Sequence, residues 1–416
     1  MVLYRWKWHR FSPPLTLKIL VNSNEEGASF WVCGDDWQLI YAFTGASVAN
    51  ILNFRDMFPG AEQLILQNNY RSTPEILRGC QNLIRHNQKR IDKELRTENP
   101  KGGDIIVLES ASEMTESLAV MSEIRDLVER KGYAYTDIAV LMRCNFQSRW
   151  IEECLLQHKI PYRIENGLCF YDRREVKVLL NYLRLIVSPN SDQGDEAFKS
   201  IINIPNRYIG RKFISELEDF RPGSGMHLYE KLKAMPIELP YVRKNVREFI
   251  QLIDPLIEDA GTRHPSEVIN FLRVALDYDR AITDDDMPSP DDVKIENLNQ
   301  LQLAAARFNS IQAFVDYTET FQDEAVSDNR EGVRLMTIHK AKGLEFPVVF
   351  LVGMVENILP SKKGNIEEER RICFVGISRA MKLLYLSHSK TYLNQPAVRS
   401  IFLDEILGVN QPDPLS

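Results

Sequence analysis

This chain of 416 residues lacks three sequence features: a membrane-spanning apolar run, a secretory signal and a metal-ligand spacing. No run approaches the ~20 consecutive apolar residues that a membrane-spanning helix needs, so we expect no membrane partner. The first residues, MVLYRWKWHRF, are basic and aromatic and lack the apolar region of a secretory signal. There is no C-x-x-C pair and no metal-ligand spacing among the seven histidines, so we predict no metal site.

Cysteine is scarce and scattered. The six cysteines are Cys33, Cys80, Cys144, Cys154, Cys169 and Cys373. Unpaired, scattered thiols are typical of a reducing compartment, where disulfides are rare. We therefore expect buried or free thiols and a cytoplasmic location.

An excess of positive charge is also missing, because the formal net charge is −7. Many nucleic-acid-binding proteins are basic overall, but a local groove of positive potential can bind a strand on an acidic protein. The hydrophobic content of 44% and the charged content of 26% are typical of a globular protein with a packed core. The length indicates two or three domains.

Alternating strand and helix patterns predict an α/β domain. A short apolar run that ends at Gly34-Asp35 is typical of a buried parallel strand ending at a functional edge. Further strands are expected at 61–66, 104–109 and 137–142, and helices after Pro74, at 113–130 and at 174–187.

The middle of the chain, about 190–325, shows helical patterns broken by proline, glycine and an acidic loop at 283–292, without β/α alternation. Alternation returns with strands at 333–338 and 347–354, a helix at 367–380 and a strand at 382–388. We therefore predict an α/β domain that is interrupted by a helical domain and then completed.

The segment GDDWQLIYAFTGA, residues 34–46, is the first candidate for chemistry. Gln38 could sense a phosphate or a water molecule. Tyr41 and Phe43 could stack on bases, worth about 1–3 kcal/mol per base. The alternative is a pair of core aromatic side chains that follow a turn.

The segment NNYRSTPEIL, residues 68–77, is the second. Arg71 stands just before a helix whose N-cap is Ser72 or Thr73 and whose first turn holds Pro74. Arg71 could reach a phosphate, and Tyr70 could cover a base. A capped helix with a surface arginine explains the same pattern.

The segment VRLMTIHKAKGLEFPVVFL, residues 333–351, is the most specific string in the chain. Gly343 permits close backbone approach. Glu345 offers a carboxylate suited to a ribose hydroxyl, and His339 could contact a phosphate backbone. The alternative is a structural β-turn-β with an incidental histidine.

The fourth segment, EEERRICFVGISRA, covers residues 367–380. Arg379 could act as an arginine finger that balances charge on a transferring phosphoryl group. For the earlier charges, Glu367–Glu369 and Arg370–Arg371, we favour a solvated helix face with ion pairs.

In this order and spacing, the four segments resemble the later motifs of superfamily-1 helicases of the UvrD/Rep/PcrA type. The matching strings are 34–46 (motif III), 66–74 (motif IV), 333–351 (motif V) and 367–380 (motif VI), with 137–149 and 170–186 similar to segments between motifs IV and V. The resemblance covers the chain from about Phe11 onward.

The resemblance implies a RecA-like, P-loop NTPase-type motor domain with a parallel sheet, built from residues 68–190 and 326–416. It also implies a helical insertion domain at 190–325. Residues 1–67 are expected to be a remnant of a first RecA-like motor domain that carries motif III.

The resemblance also implies residue roles. The nucleotide group comprises Gln38 and Arg71 at the γ-phosphate, Tyr70 on the adenine, Glu345 with Gly343 at the ribose, and Arg379 as the arginine finger. Of these, Gln38, Arg71 and Arg379 are the implied catalytic residues. The DNA group comprises Tyr41, Phe43, Arg143, Asn145 and His339.

The activity that the resemblance implies is ATP-dependent 3′→5′ translocation along single-stranded DNA, with ATP and Mg²⁺ as cofactors and single-stranded DNA and strand junctions as partners. The chain departs from the family pattern in three places. These departures concern the coupling between the nucleotide and the DNA strand, and the contact with duplex DNA. Thr44 stands where the family usually has arginine, Tyr208 stands where glycine is usual, and the insertion is short.

No G-x-x-x-x-G-K-[ST] string, the loop that cradles phosphates, occurs in the chain. The acidic Mg²⁺-binding box is also missing, and residues 11–21 resemble the stretch that follows it. We therefore expect the C-terminal portion of a helicase, which has no DNA-stimulated ATPase alone and partners a separate N-terminal motor domain. The alternatives are a non-catalytic module that binds single-stranded DNA or a protein partner, and a degraded gene product.

Overall fold

The computed structural model describes residues 33–42, 45–57, 61, 63–165, 169–223, 225–283, 294–327, 331–362 and 364–409, without the side chains of 323–327. The strand expected at 29–33 therefore lies almost entirely outside the described residues. The chain divides into two compact units. Described residues before 168 and after 329 form an α/β unit, and those between form a helical unit. Within the described parts, no helix combines the length and apolar character that crossing a bilayer requires.

The α/β unit is built on one sheet. Its six strands are β1 (Ile106–Ser110), β2 (Ile138–Met142), β3 (Tyr162–Ile164), β4 (Val333–Thr337), β5 (Phe346–Leu351) and β6 (Ala380–Ser389), in the spatial order β1-β6-β5-β2-β4-β3. Every pairing between neighbouring strands is parallel. This confirms the predicted α/β class with a parallel sheet. A short antiparallel ribbon of β7 (Thr391–Tyr392) and β8 (Gln395–Pro396) follows β6.

The α/β unit has eight α-helices among its described residues. In chain order they are α1 (Ala49–Leu52), α2 (Phe54–Met57), α3 (Pro74–Ile84), α4 (Glu113–Glu129) and α5 (Ser148–Gln157), followed after the helical unit by α15 (Ile338–Ala341), α16 (Ile366–Ile377) and α17 (Ile401–Leu407). Parallel strands need apolar cover on both sides, and β2 is buried along its whole length. One core cluster includes residues of α3, α16 and α17, and the other includes residues of α4 and α5.

The helical unit contains no strand among its described residues. Its helices are α6 (Arg174–Val187), α7 (Asp192–Ile201), α8 (Arg211–Asp219), α9 (Leu228–Ala234), α10 (Pro240–Glu258), α11 (Pro265–Ala275), α12 (Tyr278–Thr283), α13 (Lys294–Ala305) and α14 (Ile311–Ser327). A domain boundary at about 190, as we predicted, would place α6 in the α/β domain. The boundary lies before α6 because its apolar residues are buried against α7, α13 and α14.

Most predicted elements of the α/β unit are confirmed, within a few residues at their ends. The strand at 61–66 is wrong: Leu64 and Leu66 are 70% and 83% exposed, and the segment leads only to an isolated bridge between Asn68 and Arg96. A strand requires a paired neighbour, and an apolar run alone does not supply one. The helix predicted to reach Ala380 ends at Ile377, because Ala380 already pairs with β5. All six cysteines are free thiols, as predicted.

One buried carboxyl in the α/β unit has an unusual environment. The first turn of α4 carries Glu116, whose Oε1 accepts hydrogen bonds from Ser387 Oγ at 2.6 Å and from the Gly353 amide at 2.8 Å. Burial raises the pKa of Glu116 from 4.5 to about 7, although these hydrogen bonds oppose the change. The folded chain therefore holds this proton more tightly than the unfolded chain.

We predict that Glu116→Gln flattens the dependence of stability on pH. Because the folded pKa is raised, the wild-type free energy of unfolding should fall as pH rises from about 4.5 to 7, by at most about 3 kcal/mol. Urea unfolding of the two proteins at pH 5 and pH 8 measures this. The exposed Glu129→Gln on the same helix is the control, and an unchanged pH dependence in Glu116→Gln would contradict the assignment.

Candidate functional site

The amino edge of the sheet brings two predicted residues side by side. Glu345 directly precedes β5, and Arg379 directly precedes β6. Phe346 pairs with Ala380, and the Phe346 amide donates to the Arg379 carbonyl at 3.0 Å. Because the strands are parallel and Phe346 pairs with Ala380, Glu345 and Arg379 lie side by side at the amino edge of the sheet. These are the predicted ribose carboxylate and the predicted arginine finger.

The segment before α3 is fixed to the same edge. Ser72 Oγ donates to the Ala380 carbonyl at 2.6 Å, and the Thr73 amide donates to the Met381 carbonyl at 3.2 Å. Asn69 Oδ1 accepts from the backbone amides of Arg71 and Ser72, which shapes the turn that precedes the helix. These bonds hold Arg71 beside the start of β6.

Arg71 meets Glu345 directly. Its Nε lies 2.6 Å from Glu345 Oε2, and its Nη1 donates to the Ser378 carbonyl at 3.2 Å. The two charged side chains are 28% and 51% exposed, so the ion pair is worth only about 0–1 kcal/mol. A ligand that offers each partner a better contact can therefore separate them at small cost.

Arg379 is buried, and its guanidinium is held by neutral oxygens. It donates to the carbonyls of Val375 and Leu344 at 2.9 and 3.1 Å, to Ser378 Oγ at 2.9 Å and to Gln38 Oε1 at 3.2 Å. Burial, with the nearby charge of Arg71, lowers the pKa of Arg379 to about 10, so it remains a cation at neutral pH. None of these four acceptors balances its charge.

Two further members of the nucleotide group complete this cluster at the amino edge. Tyr70 is 78% exposed beside Arg71, with its ring open to solvent. Gly343 lies two residues before Glu345 with φ +92°, in the left-handed region, and a side chain there would meet no atom within 4 Å. The structure thus places all six predicted nucleotide residues along one edge of the sheet; their roles stay predictions.

The predicted DNA residues lie apart from that edge. Tyr41 Oη donates to the backbone carbonyl of His339 in α15 at 3.2 Å, with ring centroids 6.2 Å apart. The ammonium of Lys342 lies 4.7 Å from the centre of the Tyr41 ring. Tyr41 is half-buried and His339 is buried. Phe43 and Thr44 fall outside the described residues.

The other two DNA residues follow the carboxyl end of β2. Arg143 makes a bidentate ion pair with Glu369 of α16, with distances of 3.0 and 2.8 Å, and both side chains are buried. Asn145 begins the short turn that leads into α5 and is half-buried. Asn145 is thus the more accessible of the two.

The solvated face that we favoured for the early charges of motif VI is wrong. Arg370 is buried and bound by Glu405 at 2.7 and 2.8 Å, and Glu369 is bound by Arg143. Only the pair between Arg371 and Glu367 follows the helical spacing, at 3.5 Å. The helix packs between α3 and the sheet, so its charges need partners from distant parts of the chain, which local spacing does not reveal.

Two lysines near the nucleotide group were not singled out from the sequence. Lys342 lies in the motif V string, and burial, aided by the charge of Arg379, lowers its pKa. Lys93 lies 2.7 Å from a carboxylate oxygen of Asp35 and 2.7 Å from one of Asp36. Nothing in the local sequence around Lys93 pointed to this contact, because its partners are more than 50 residues away.

We predict that Arg143→Met lowers the free energy of unfolding by about 3–5 kcal/mol, because it leaves Glu369 buried without its main cation. Urea unfolding measures the loss. The double variant Arg143→Met, Glu369→Met should recover most of it, since no buried charge remains. A loss below about 1 kcal/mol in the single variant would mean that the pair is not buried as described.

The comparisons with known proteins agree with the motif order. A family model described as the UvrD-like helicase C-terminal domain matches residues 64–391. The ATP-dependent DNA helicase PcrA of Staphylococcus epidermidis is 33% identical over 412 residues, which cover 94% of this chain and 55% of that protein. DNA helicase II of Escherichia coli (strain K12) is 35% identical over 378 residues, which cover 86% of this chain and 52% of that protein.

The chain spans about half the length of the curated relatives it matches. A family model that covers most of the chain and relatives at 33–35% identity confirm the resemblance read from the motifs. The chain belongs to the UvrD-like helicase family.

Proposed function

We propose that this chain supplies the second half of the ATP site and part of the strand-binding surface of a 3′→5′ DNA helicase or translocase. The observation that carries the proposal is the cluster at the amino edge, where Arg71, Glu345, Arg379 and Gln38 meet. One relative is named an ATP-dependent DNA helicase and the other a DNA helicase, and the cluster is where such chemistry would reside here.

The residues present fit the phosphates of a nucleotide. Three cations (Arg71, Lys342 and Arg379) lie at or beside the cluster, and Arg379 is surrounded by neutral acceptors. A buried cation of this kind stabilises negative charge that develops on a transferring phosphoryl group. Arg71 would exchange Glu345 for a phosphate oxygen, and Glu345 would then be available to a ribose hydroxyl.

The same residues are poorly suited to Mg²⁺. The carboxylates of Asp35 and Asp36 are bound by Lys93, and Glu345 is the carboxylate that we assign to the ribose. We therefore propose that the metal and the phosphate-cradling loop are supplied by a motor domain that lies outside these 416 residues, and that the assembled enzyme works in the cytoplasm. The 416-residue chain alone should show no DNA-stimulated ATPase.

We predict that Arg379→Ala lowers kcat by about 10³-fold or more in an enzyme assembled from this chain and a P-loop motor domain produced separately, because the charge on the phosphoryl group loses its cation. Single-turnover ATPase with saturating single-stranded DNA measures it. Arg96→Ala, at an exposed ion pair with Glu94, is the control.

Two outcomes would count against the proposal. Turnover by the chain alone that Arg379→Ala abolishes would show that no second component is needed. Oligonucleotide binding that responds to salt but not to nucleotide, with no ATPase in any pairing, would favour the non-catalytic binding module.

We also predict that Tyr70→Ala raises KM for ATP by about tenfold, the scale of one lost base stack, and leaves thermal stability unchanged because the ring is exposed. Tyr70→Phe should keep the wild-type KM. Tyr241→Ala removes another exposed ring, in the helical unit, and should have no effect on KM. An unchanged KM in Tyr70→Ala would exclude the stacking role.

A further inference from the structure

Two stretches of the α/β unit that are distant in sequence are fastened together next to the cluster. The indole Nε1 of Trp37 donates to the Ile91 carbonyl at 3.1 Å, and the Ile91 amide donates to Asp36 Oδ2 at 2.7 Å. Residues 35–38, which carry the predicted phosphate sensor, are therefore bound to residues 91–93 by two reciprocal contacts.

Lys93 adds further contacts between these two stretches. Its ammonium lies 2.7 Å from Asp35 Oδ1, 2.7 Å from Asp36 Oδ1 and 4.7 Å from the centre of the Trp37 ring. The Lys93 side chain is only 12% exposed, and Asp36 is 1% exposed. Burial alone would lower the pKa of Lys93, but the two carboxylates outweigh it and raise the pKa, so the ammonium stays charged at neutral pH.

Asp35 also contacts Gln38, so the position of Asp35 constrains the Gln38 side chain. Asp35 Oδ1 accepts from Lys93 and from the Trp37 amide, while Oδ2 accepts from Gln38 Nε2 at 2.7 Å. A carboxylate can only accept, and the guanidinium of Arg379 can only donate. The amide of Gln38 therefore has one orientation that satisfies both neighbours, with Nε2 on Asp35 and Oε1 on Arg379 at 3.2 Å.

We propose that Lys93 is a positioning residue of this site: by holding Asp35, it fixes the Gln38 amide so that its oxygen faces Arg379, where it can accept a hydrogen bond from the guanidinium or from the attacking water. This inference rests on the proposed function. The oxygen of Gln38 can accept a hydrogen bond from water or from Arg379, but it cannot hydrogen bond to an unprotonated phosphate oxygen, which is also an acceptor. Lys93 thus determines which atom of the Gln38 side-chain amide, the oxygen or the nitrogen, faces Arg379.

The test variant is Lys93→Met, which keeps the length of the side chain and removes its charge. We expect kcat of the assembled enzyme to fall by about ten- to a hundredfold, the scale of losing the geometry of one reacting group, with KM for ATP within about threefold of wild type. The binding residues Tyr70, Arg71 and Glu345 are untouched. Lys93→Arg should restore most of kcat, because it returns the cation.

Folding is controlled in the same experiment. Lys93→Met leaves the buried Asp36 without its cation, which could destabilise the fold. The double variant Lys93→Met, Asp36→Asn is therefore measured as well. The side-chain amide oxygen that replaces the carboxylate at position 36 can still accept a hydrogen bond from the Ile91 amide. Arg96→Met, at a neighbouring exposed ion pair, is the matched control. A kcat that stays at the wild-type value in the folded double variant would overturn the proposal. A fall in kcat matched by an equal rise in KM would do the same.

A second readout keeps this inference separate from the proposed function. Hydrogen exchange of the Trp37 and Gln38 amides in the chain alone requires no nucleotide and no partner. Faster exchange in Lys93→Met and in the double variant, but not in Lys93→Arg or Arg96→Met, would support the positioning role of Lys93 even if no pairing yields ATPase, in which case only the proposed function fails. Unchanged exchange in folded Lys93→Met and in the folded double variant would overturn the positioning role of Lys93.

Discussion

The parallel pairing of β5 with β6 is the constraint on which the candidate site depends. Both strands begin at the same level of the sheet, so the residues that precede them, Glu345 and Arg379, emerge together. The start of α3 is hydrogen bonded to the first two carbonyls of β6, which adds Arg71 to the same place. Ligands of open α/β sheets usually lie beyond the carboxyl ends of the strands, and here the predicted nucleotide residues occupy the opposite edge.

Buried ion pairs give the helix of motif VI its position. Arg143 with Glu369 and Arg370 with Glu405 join α16 to the end of β2 and to α17. Burying such charges is worthwhile only when each finds a partner with good geometry, so these contacts specify one arrangement of the elements more than they add stability. Arg379, two residues beyond the end of the same helix, has only neutral acceptors among its hydrogen bonds, so no hydrogen-bonded carboxylate balances its charge.

The sequence predicted the parallel sheet well because buried strands such as β2 are apolar along their whole length and end at polar turns. Motif order identified the candidate site residues, and the structure brings six of them to one edge of the sheet, while their roles stay predictions. It could not reveal which charges pair across the fold: Arg143 with Glu369 and Lys93 with Asp35 join residues 226 and 58 positions apart. The boundary of the helical unit was misplaced for a similar reason, since the apolar stripe of α6 fits either unit and only packing decides.

Two short stretches of chain connect the predicted nucleotide residues with the predicted DNA residues. One runs from His339 through α15 to Gly343 and Glu345, and the other runs from Gln38 to Tyr41. The stretches contact each other where Tyr41 donates to the His339 carbonyl, and each has its other end in the cluster at the amino edge. If Gln38 has the proposed role and moves when a nucleotide binds, Tyr41 is only three residues away, on a segment whose first residue, Asp35, is held by Lys93. Coupling of this kind is carried by packed side chains and hydrogen bonds that have two discrete arrangements, and the hydrogen bond from Tyr41 to the His339 carbonyl is the contact that would have to change.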